Sequence, residues 1–174
     1  MKKSVLLFLT LVLTSFFSSS LLSQSGSTAN TNSGANIVQA LTLSKTADLH
    51  FGTMSIPTAA LNVVLSTTNT RSTSSPADIT FWAQAPVSTN AAYTVAGSAN
   101  ATYTIILPAN GIITIMSGAN SMHVNSFTCS YTGLTGTLDG SGTDHFVVGA
   151  TLELDEAQPF GIYSGSFDAT VAYN

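Results

Sequence analysis

The chain has 174 residues, enough for one domain with a sizeable core, and only 7% of them are charged while 44% are hydrophobic. Four basic residues stand against eight acidic ones, so the clustered Lys and Arg that bind phosphate backbones or anionic lipid are missing and nucleic acid is excluded as a partner. The single cysteine, Cys129, excludes an internal disulfide, and we expect it to be a small buried apolar residue.

Residues 1–23 have the pattern of a secretory signal peptide. Two lysines precede an apolar stretch from Val5 to Phe17, and small serines follow it. The unbroken apolar part is shorter than the roughly 20 residues that a spanning helix needs, so the alternative of a transmembrane anchor is disfavoured. We therefore expect cleavage near Ser23 to Ser25 and export to the periplasm, the cell surface or the medium, and we do not expect an integral membrane protein.

The composition changes twice along the chain. Residues 24–36 contain almost only Ser, Gly, Thr, Asn and Ala, and such a segment buries too little apolar surface to offset the entropy of ordering. We expect a flexible polar leader over 24–36. From residue 37 the character stays uniform, which predicts a single domain over 37–174.

Apolar residues recur at every second position in a series of short runs, which is the spacing of side chains on one face of a β-strand. β-branched and aromatic residues fill these runs, as half-buried strands favour. No segment after the signal keeps a helical repeat. The runs are, in chain order, Leu61, Val63 and Leu65; Ile79, Phe81 and Ala83; Tyr93 and Val95; Tyr103, Ile105 and Leu107; Phe127, Cys129 and Tyr131; Phe146, Val148, Ala150, Leu152 and Leu154; Phe167, Ala169, Val171 and Tyr173.

Turn signals separate these runs at short intervals. The strongest is Asn110-Gly111, which predicts a two-residue type I′ hairpin turn. Others fall at 117–120, 132–133, 139–142 and 159. Eight to ten short strands with this spacing predict an all-β fold, a single antiparallel β-sandwich of immunoglobulin-like or pilin-like type, in preference to a closed barrel.

Two sequence elements resemble a known family. The first is Leu49-His50-Phe51-Gly52-Thr53-Met54, and the second is Gly161-Ile162-Tyr163-Ser164-Gly165, shortly before the last predicted strand. Their order is similar to that of the bacterial family described as a domain of unknown function and numbered 4402, over about residues 35–174. The resemblance implies an exported protein. It indicates a fold and a location but no activity, because neither element is a motif for a chemical reaction.

The C-terminal end also resembles the last strand of chaperone–usher pilus subunits, which has a penultimate tyrosine and a glycine fourteen places from the end. Tyr173 and Gly161 occupy those places. The resemblance implies strand pairing with other surface subunits or with a periplasmic chaperone, because an extended segment fills the open edge of an incomplete sandwich. The predicted interaction strand comprises Gly161, Tyr163, Phe167, Ala169, Val171 and Tyr173.

A subunit that polymerises in this way needs a donor strand with alternating apolar residues near its N-terminus. The leader 24–36 is too polar for that purpose, and the usual pilin disulfide is absent. Three alternatives follow: the segment from Ile37 to Leu43 serves as the donor, the subunit caps a fibre, or the domain is complete and does not polymerise.

The residue types used in catalysis do not converge in the sequence. His145 follows Asp144 directly, and neighbours on a strand point to opposite faces, so a His–Asp relay is not expected there. We expect His50 to be solvated and His123 to lie in a packed or rim position. No serine lies in a Gly-x-Ser-x-Gly turn. The prediction is a protein with no enzymatic activity, no catalytic residues and no cofactor.

The predicted function is an exported, non-enzymatic cell-surface structural or adhesive protein, pilin-like, that interacts through strand edges. The alternative is a secreted carbohydrate- or calcium-binding β-sandwich module. Asp139 and Asp144 flank a Gly-rich loop and are the candidate calcium ligands, but calcium sites use more carboxylates, and a hairpin loop is the preferred interpretation. Trp82 is the only tryptophan, and burial is favoured for it over display to a sugar.

Overall fold

The computed structural model describes residues 26–174, so the predicted signal peptide and the first two leader residues lie outside the described residues. Residues 26–36 have no regular secondary structure and are exposed. Residues 37–174 form a unit of their own. Within the described residues, all regular structure is strand apart from the short 3-10 helix Thr132–Leu134, and no helix there is long and apolar enough to cross a bilayer. The predicted all-β fold is confirmed.

The described part of the chain contains twelve strands, more than the eight to ten predicted, because several pairing segments have only two or three residues and leave no periodic signal. The strands are β1 (Thr42–Ala47), β2 (His50–Phe51), β3 (Leu61–Leu65), β4 (Arg71–Thr73), β5 (Ser88–Thr89), β6 (Ala91–Ala96), β7 (Thr102–Ile106), β8 (Ile113–Ser117), β9 (Asn120–Cys129), β10 (Thr135–Thr137), β11 (Thr143–Leu154) and β12 (Thr170–Tyr173).

A seven-stranded antiparallel sheet forms one layer of the sandwich, with the long strand β11 at its centre. Along one edge β11 pairs first with β6, through Thr143–Val148, and then with β3, through Ala150–Leu154. Its other edge pairs with β9, which in turn pairs with β8. Strands β1 and β4 complete the sheet beside β6 and β3.

A second sheet, in the order β10-β7-β12, covers one half of the large sheet. We call this part of the sandwich the closed half. Alternation along β7 sends Tyr103 and Ile105 into it, and both are almost fully buried. The buried cluster of the closed half is formed by Ala91, Tyr93, Val95, Tyr103, Ile105, Leu138, Phe146 and Val148.

The remaining half of the large sheet, formed by β3, β8, β9 and the end of β11, has a cluster of its own. We call it the open half, because no three-stranded sheet lies over it. Short or irregular segments supply the side chains that pack on its core from the second layer, among them Phe51, Met54, Ile79, Phe81 and Tyr163. The two halves therefore share β11 and differ in what covers them.

Two local predictions are wrong. The run from Ile79 to Ala83 forms no strand; Ile79 and Phe81 pack into the open half from a loop, and only Phe81 makes a bridge, to Met54. The Asn110-Gly111 turn does not close a hairpin, because β7 and β8 belong to different sheets. An apolar alternation or a turn motif does not say which segment will be the partner.

The turn at Asn110-Gly111 is instead tied to an irregularity in β9. Ser126 has a positive φ of 48°, and its N–H donates to Asn110 Oδ1 at 2.8 Å. The Gly111 N–H donates to Asn125 Oδ1 at 2.6 Å. A hairpin does form at the weaker turn signal, where Gly118 has a φ of 60° between β8 and β9, as a first central glycine favours.

Candidate functional site

An open groove of about 810 Å³ lies over the open half. Its floor belongs to the inner face of the large sheet, because alternation places every second side chain of β8, β9 and β11 on that face. The floor side chains are all apolar: Ile113, Ile115, Met122, Val124, Leu152 and Leu154. Met122, Val124, Leu152 and Leu154 are already buried in the core of the open half, so an occupant would contact chiefly Ile113 and Ile115, which favour an apolar side chain.

One wall of the groove is the segment 48–57, which we call the first wall. Arg71 holds it in place from β4. The Arg71 Nη1 donates to the carbonyl oxygens of Phe51, at 3.2 Å, and Thr53, at 3.0 Å, while Nη2 donates to the carbonyl of Trp82 at 3.0 Å. A planar guanidinium with several fixed donors can join these segments in a way that a single ammonium cannot.

The opposite wall is residues 159–167, which we call the strap. Buried Gln158 fixes its entry: Nε2 donates to the Ser121 carbonyl at 3.2 Å and to the Tyr163 hydroxyl at 2.9 Å. The Tyr163 hydroxyl in turn donates to the carbonyl of Pro159 at 2.7 Å. A buried amide whose polar atoms are engaged is stabilising, so this network holds the strap beside the floor.

Two glycines allow the strap to lie close against β8. A Cβ on Gly165 would lie 2.8 Å from the carbonyl oxygen of Thr114 and 2.9 Å from the side chain of Ile115, and a Cβ on Gly161 would collide with Ser117. These are the first and last residues of the Gly-x-Tyr-Ser-Gly element. The element is thus a packing motif, because larger side chains would push the strap away from the floor.

The backbone of the strap has few main-chain partners within the described structure. Ser164 alone makes them, exchanging hydrogen bonds with Met116 on β8 at 2.9 and 3.0 Å. Phe160 and Ile162 are each 89% exposed at the mouth of the groove. Free N–H and C=O groups beside an apolar groove are the arrangement that accepts an added strand.

Charge is scarce in the groove. Among its described lining residues the acidic and basic side chains are Lys45 and Asp48, which form an exposed ion pair with each other. His50 is also on the lining, and its Nδ1 accepts a hydrogen bond from the Gly52 N–H at 2.8 Å. The groove therefore offers no free charge to recognise a charged group.

The predicted interaction strand is divided between two regions. Gly161, Tyr163 and Phe167 lie in the strap, while Val171 and Tyr173 lie in β12 and pair with β7. A regular strand extends only over Thr170–Tyr173, although the predicted alternation of half-buried and exposed residues continues from Phe167 to the end. The part in β12 is already paired on one edge, so the strap holds the larger share of free backbone.

Each candidate calcium ligand already accepts hydrogen bonds within the domain, Asp139 from its own loop and Asp144 from two tyrosines. Asp139 Oδ1 accepts hydrogen bonds from the Thr143 N–H at 2.9 Å and from the Ser141 N–H and hydroxyl at 2.9 and 2.7 Å. The bonds from Thr143 and Ser141 lower the pKa of Asp139. The local turn bonds expected of Asp139 are present, but the predicted hairpin is wrong, because the loop joins β10 and β11, which belong to different sheets. No group of three or more His, Cys, Asp or Glu side chains able to hold a metal occurs in residues 26–174.

Asp144 lies beside the closed half, between Tyr103 and Tyr131. Its Oδ2 accepts from the Tyr103 hydroxyl at 2.8 Å and its Oδ1 from the Tyr131 hydroxyl at 2.6 Å. Burial, together with these hydrogen bonds to a carboxylate, raises the pKa of Tyr131 to about 12 and that of Tyr103 further still. The prediction that Asp144 and His145 point to opposite faces is confirmed, because His145 is exposed and its Nδ1 lies 2.9 Å from the Thr94 hydroxyl.

Three further predictions concern single side chains. Trp82 is 44% exposed, so its favoured burial is wrong: a loop, not a strand, carries it. His123 is exposed, because the bulge at Ser126 changes which residues of β9 face inward. Cys129 is a free thiol, half-buried against the closed half.

Sequence reasoning missed Arg71 and Gln158, the residues that position the two walls. Arg71 donates to main-chain carbonyls 11 to 20 positions away and Gln158 donates to the Ser121 carbonyl 37 positions away, and no local pattern encodes these contacts. One signal was available for Arg71. A lone arginine in a chain with 7% charged residues is a candidate for a structural role, since the surface there is built from neutral side chains.

The family described as Domain of unknown function (DUF4402) matches residues 41–173. The chain belongs to this family. No curated protein and no solved structure matches it. The DUF4402 match spans every strand from β1 to β12 and both walls of the groove. The resemblance to this family that the sequence indicated is therefore confirmed. The resemblance to pilus subunits is not confirmed by these comparisons.

Proposed function

We propose that this DUF4402 protein is an exported, non-enzymatic structural or adhesive component of the cell surface, and that the groove receives an extended strand from a partner. The observation that carries the proposal is the open groove over the open half, with the exposed side chains of Phe160 and Ile162 at its mouth. An apolar floor lies there between two anchored walls, and the strap has free main-chain groups at its edge.

The energetics favour a strand as the occupant. Each apolar side chain fully buried on the floor contributes about 1.5–3 kcal/mol. Each main-chain hydrogen bond made with the strap adds about 1 kcal/mol. Alternate residues of an added strand point to the floor and to solvent, so one segment can make both kinds of contact.

The alternative function, sugar or calcium binding, has less support from the described residues. The Asp139 carboxylate is engaged by its own loop and that of Asp144 by two tyrosine hydroxyls. Trp82 is partly exposed, but it is the only tryptophan of the chain, and one ring offers a small platform for a sugar.

A peptide titration tests the proposed groove. Residues 26–174 are mixed with a neutral nine-residue peptide of alternating Ile and Thr, and with a peptide of the same composition in blocks. We expect one alternating peptide to bind per domain and to raise Tm, and the block peptide to bind at least tenfold more weakly.

Two exposed isoleucines give matched variants for that titration. Ile162 lies at the mouth of the groove, and Ile112 is 68% exposed and does not line it. We expect Ile162→Asp to weaken binding at least tenfold and Ile112→Asp to leave it unchanged. Equal losses in both variants, or no binding by the unchanged protein, contradict the proposal.

Export is tested separately on the full chain carrying a C-terminal epitope tag. We expect mass spectrometry to find a mature N-terminus near Ser23 to Ser25, and added protease to remove the tag from intact cells. A full-length product that stays inside the cell contradicts the surface role, whatever the groove binds in solution.

A further inference from the structure

We infer that the strand filling the groove comes from a different polypeptide and not from a second copy of this chain, and that it pairs along the strap. The inference rests on the proposed function and names the partner of the same site. Three sets of observations support it: what the leader contains, what the ends of the domain are already bonded to, and which chemistry the groove accepts.

The described part of the leader cannot fill the groove. Across residues 26–36 the apolar side chains are those of Ala29 and Ala35, and the rest are Gly, Ser, Thr and Asn. A methyl group buries a small fraction of the surface that Leu or Ile buries, so this segment would cover little of Ile113 and Ile115, the half-buried residues of the floor. A second copy therefore has no effective donor strand here.

The next apolar segment, Ile37 to Leu43, is already part of its own domain. The Gln39 N–H donates to the Ser98 hydroxyl at 2.9 Å, and the Gln39 carbonyl accepts from the Tyr173 hydroxyl at 2.8 Å. Leu41 and Leu43 pack into the closed half. Donating this segment to another copy would break these contacts, so it is not a free donor strand.

Two large apolar residues remain exposed ahead of that anchor. Ile37 is 94% exposed and Val38 is 56% exposed. They are adjacent, so in an extended strand they point to opposite faces, and one side chain at most would reach the floor. The C-terminal end is no better, because Thr170–Tyr173 is paired with β7.

The groove itself specifies the chemistry of the partner strand. The floor is apolar, and the acidic and basic side chains on the described lining neutralise each other as the Lys45–Asp48 pair. The partner is therefore a neutral extended segment with large apolar residues at alternate positions. The strap supplies the pairing edge, because the first wall has already used carbonyls of Phe51 and Thr53 to accept from Arg71.

The test compares self-assembly with binding of a foreign strand. The exported chain and a variant that lacks residues 26–36 are purified, and their molar masses are measured by light scattering at high concentration. Two peptides are then titrated: the neutral alternating Ile/Thr peptide and a peptide with the sequence of residues 26–43. We expect both proteins to be monomers, the foreign peptide to bind, and the chain's own segment to bind at least a hundredfold more weakly.

Amide exchange in the foreign-peptide complex locates the pairing edge. We expect at least tenfold slower exchange for strap amides such as those of Ile162 and Ser166, while amides on the outer face near Val64 keep their rates. A bound peptide that leaves the strap amides unprotected overturns the assignment of the edge.

The outcomes separate the two proposals. Polymers that disappear when residues 26–36 are removed, or tight binding of the 26–43 peptide, would overturn the foreign partner and leave strand addition in place. Monomers that bind neither peptide would overturn the proposed function itself, and the inference with it.

Discussion

The closed half and the open half meet on the same central strand, β11, and differ in how their second layers are held. In the closed half the cover is a sheet, β10-β7-β12, whose strands are joined by main-chain hydrogen bonds. In the open half the cover consists of short segments that are joined by a two-residue ladder between β2 and β5 and by single bridges, and that are positioned by the side chains of Arg71 and Gln158. A cover with so few ladder hydrogen bonds leaves main-chain groups of the strap available to a partner.

The largest expected contrast between the halves comes from two phenylalanines. Phe146 is 1% exposed and stacks on Tyr93 with ring centres 5.0 Å apart, so Phe146→Ala should cost about 3–5 kcal/mol. Phe160, in the strap, is 89% exposed, and Phe160→Ala should change stability by less than about 0.5 kcal/mol. Urea denaturation measures both. A similar cost for the two variants would break the distinction between the halves.

The Asp144 network gives the next largest effect. Asp144→Asn replaces a charged acceptor for two hydroxyls by an amide with one acceptor oxygen, and we expect a loss of about 2 kcal/mol. The matched control is Asp139→Asn, in an exposed turn, which should cost clearly less. Thermal and urea unfolding of the two variants check the ranking. Peptide binding in the groove should be unchanged, because the network lies in the closed half.

Alkaline pH acts on the same network. The pKa values of Tyr103 and Tyr131 are raised in the folded state, so the native protein holds their protons more tightly than the unfolded chain does. The resulting stabilisation is complete below pH 10, the ordinary tyrosine value, and is lost as the pH rises through about 12. We expect Tyr103 and Tyr131 to add no tyrosinate absorbance at 295 nm until unfolding begins. Early ionisation in the native protein would contradict the buried network.

A smaller loss of stability than for Asp144→Asn is expected from Arg71→Lys, which acts directly on the first wall of the groove. The ammonium cannot reach the three carbonyls in the guanidinium geometry or lie flat over the Phe81 ring, which is 4.7 Å from the Arg71 Cζ. We expect a loss of about 1 kcal/mol in stability. Binding of the alternating peptide should fall several-fold, since the first wall loosens. Lys45→Arg keeps the exposed pair with Asp48 and is the matched control for stability, which it should not change.

Most of the regular structure could be predicted from the sequence, because apolar and polar residues alternate wherever one face of a strand is buried. All five inward residues of β11 from Phe146 to Leu154 are buried, as expected. Alternation is misleading at Ile79 to Ala83, where a loop with alternating apolar residues packs without forming a strand. The prediction at Asn110-Gly111 also failed, since the turn motif does not reveal that the chain passes from one sheet to the other.

The candidate site was only partly predictable, for a related reason. The Gly-x-Tyr-Ser-Gly element and the early Leu-His-Phe-Gly element were found as motifs, and they form the two walls of the groove. The groove between them was not foreseen, because a groove between two walls is a property of the assembled layers. Gln158, buried and bonded to Ser121 and Tyr163, is likewise recognisable only after folding.

The Tyr173 hydroxyl joins the two ends of the domain, because it donates to Gln39 at the start of the fold and accepts from the N–H of Ser98 at 2.7 Å. A pulling force applied to the chain ahead of residue 37 therefore enters the domain at this clasp. From there it passes into the β1–β6 ladder and the last strand, which both belong to the closed half. The groove touches this load path at the end lined by Lys45 of β1 and Tyr93 of β6, whereas its floor strands β8 and β9 lie outside the path. Tension on the chain ahead of residue 37 would therefore reach the partner's binding surface at that end and not at its floor.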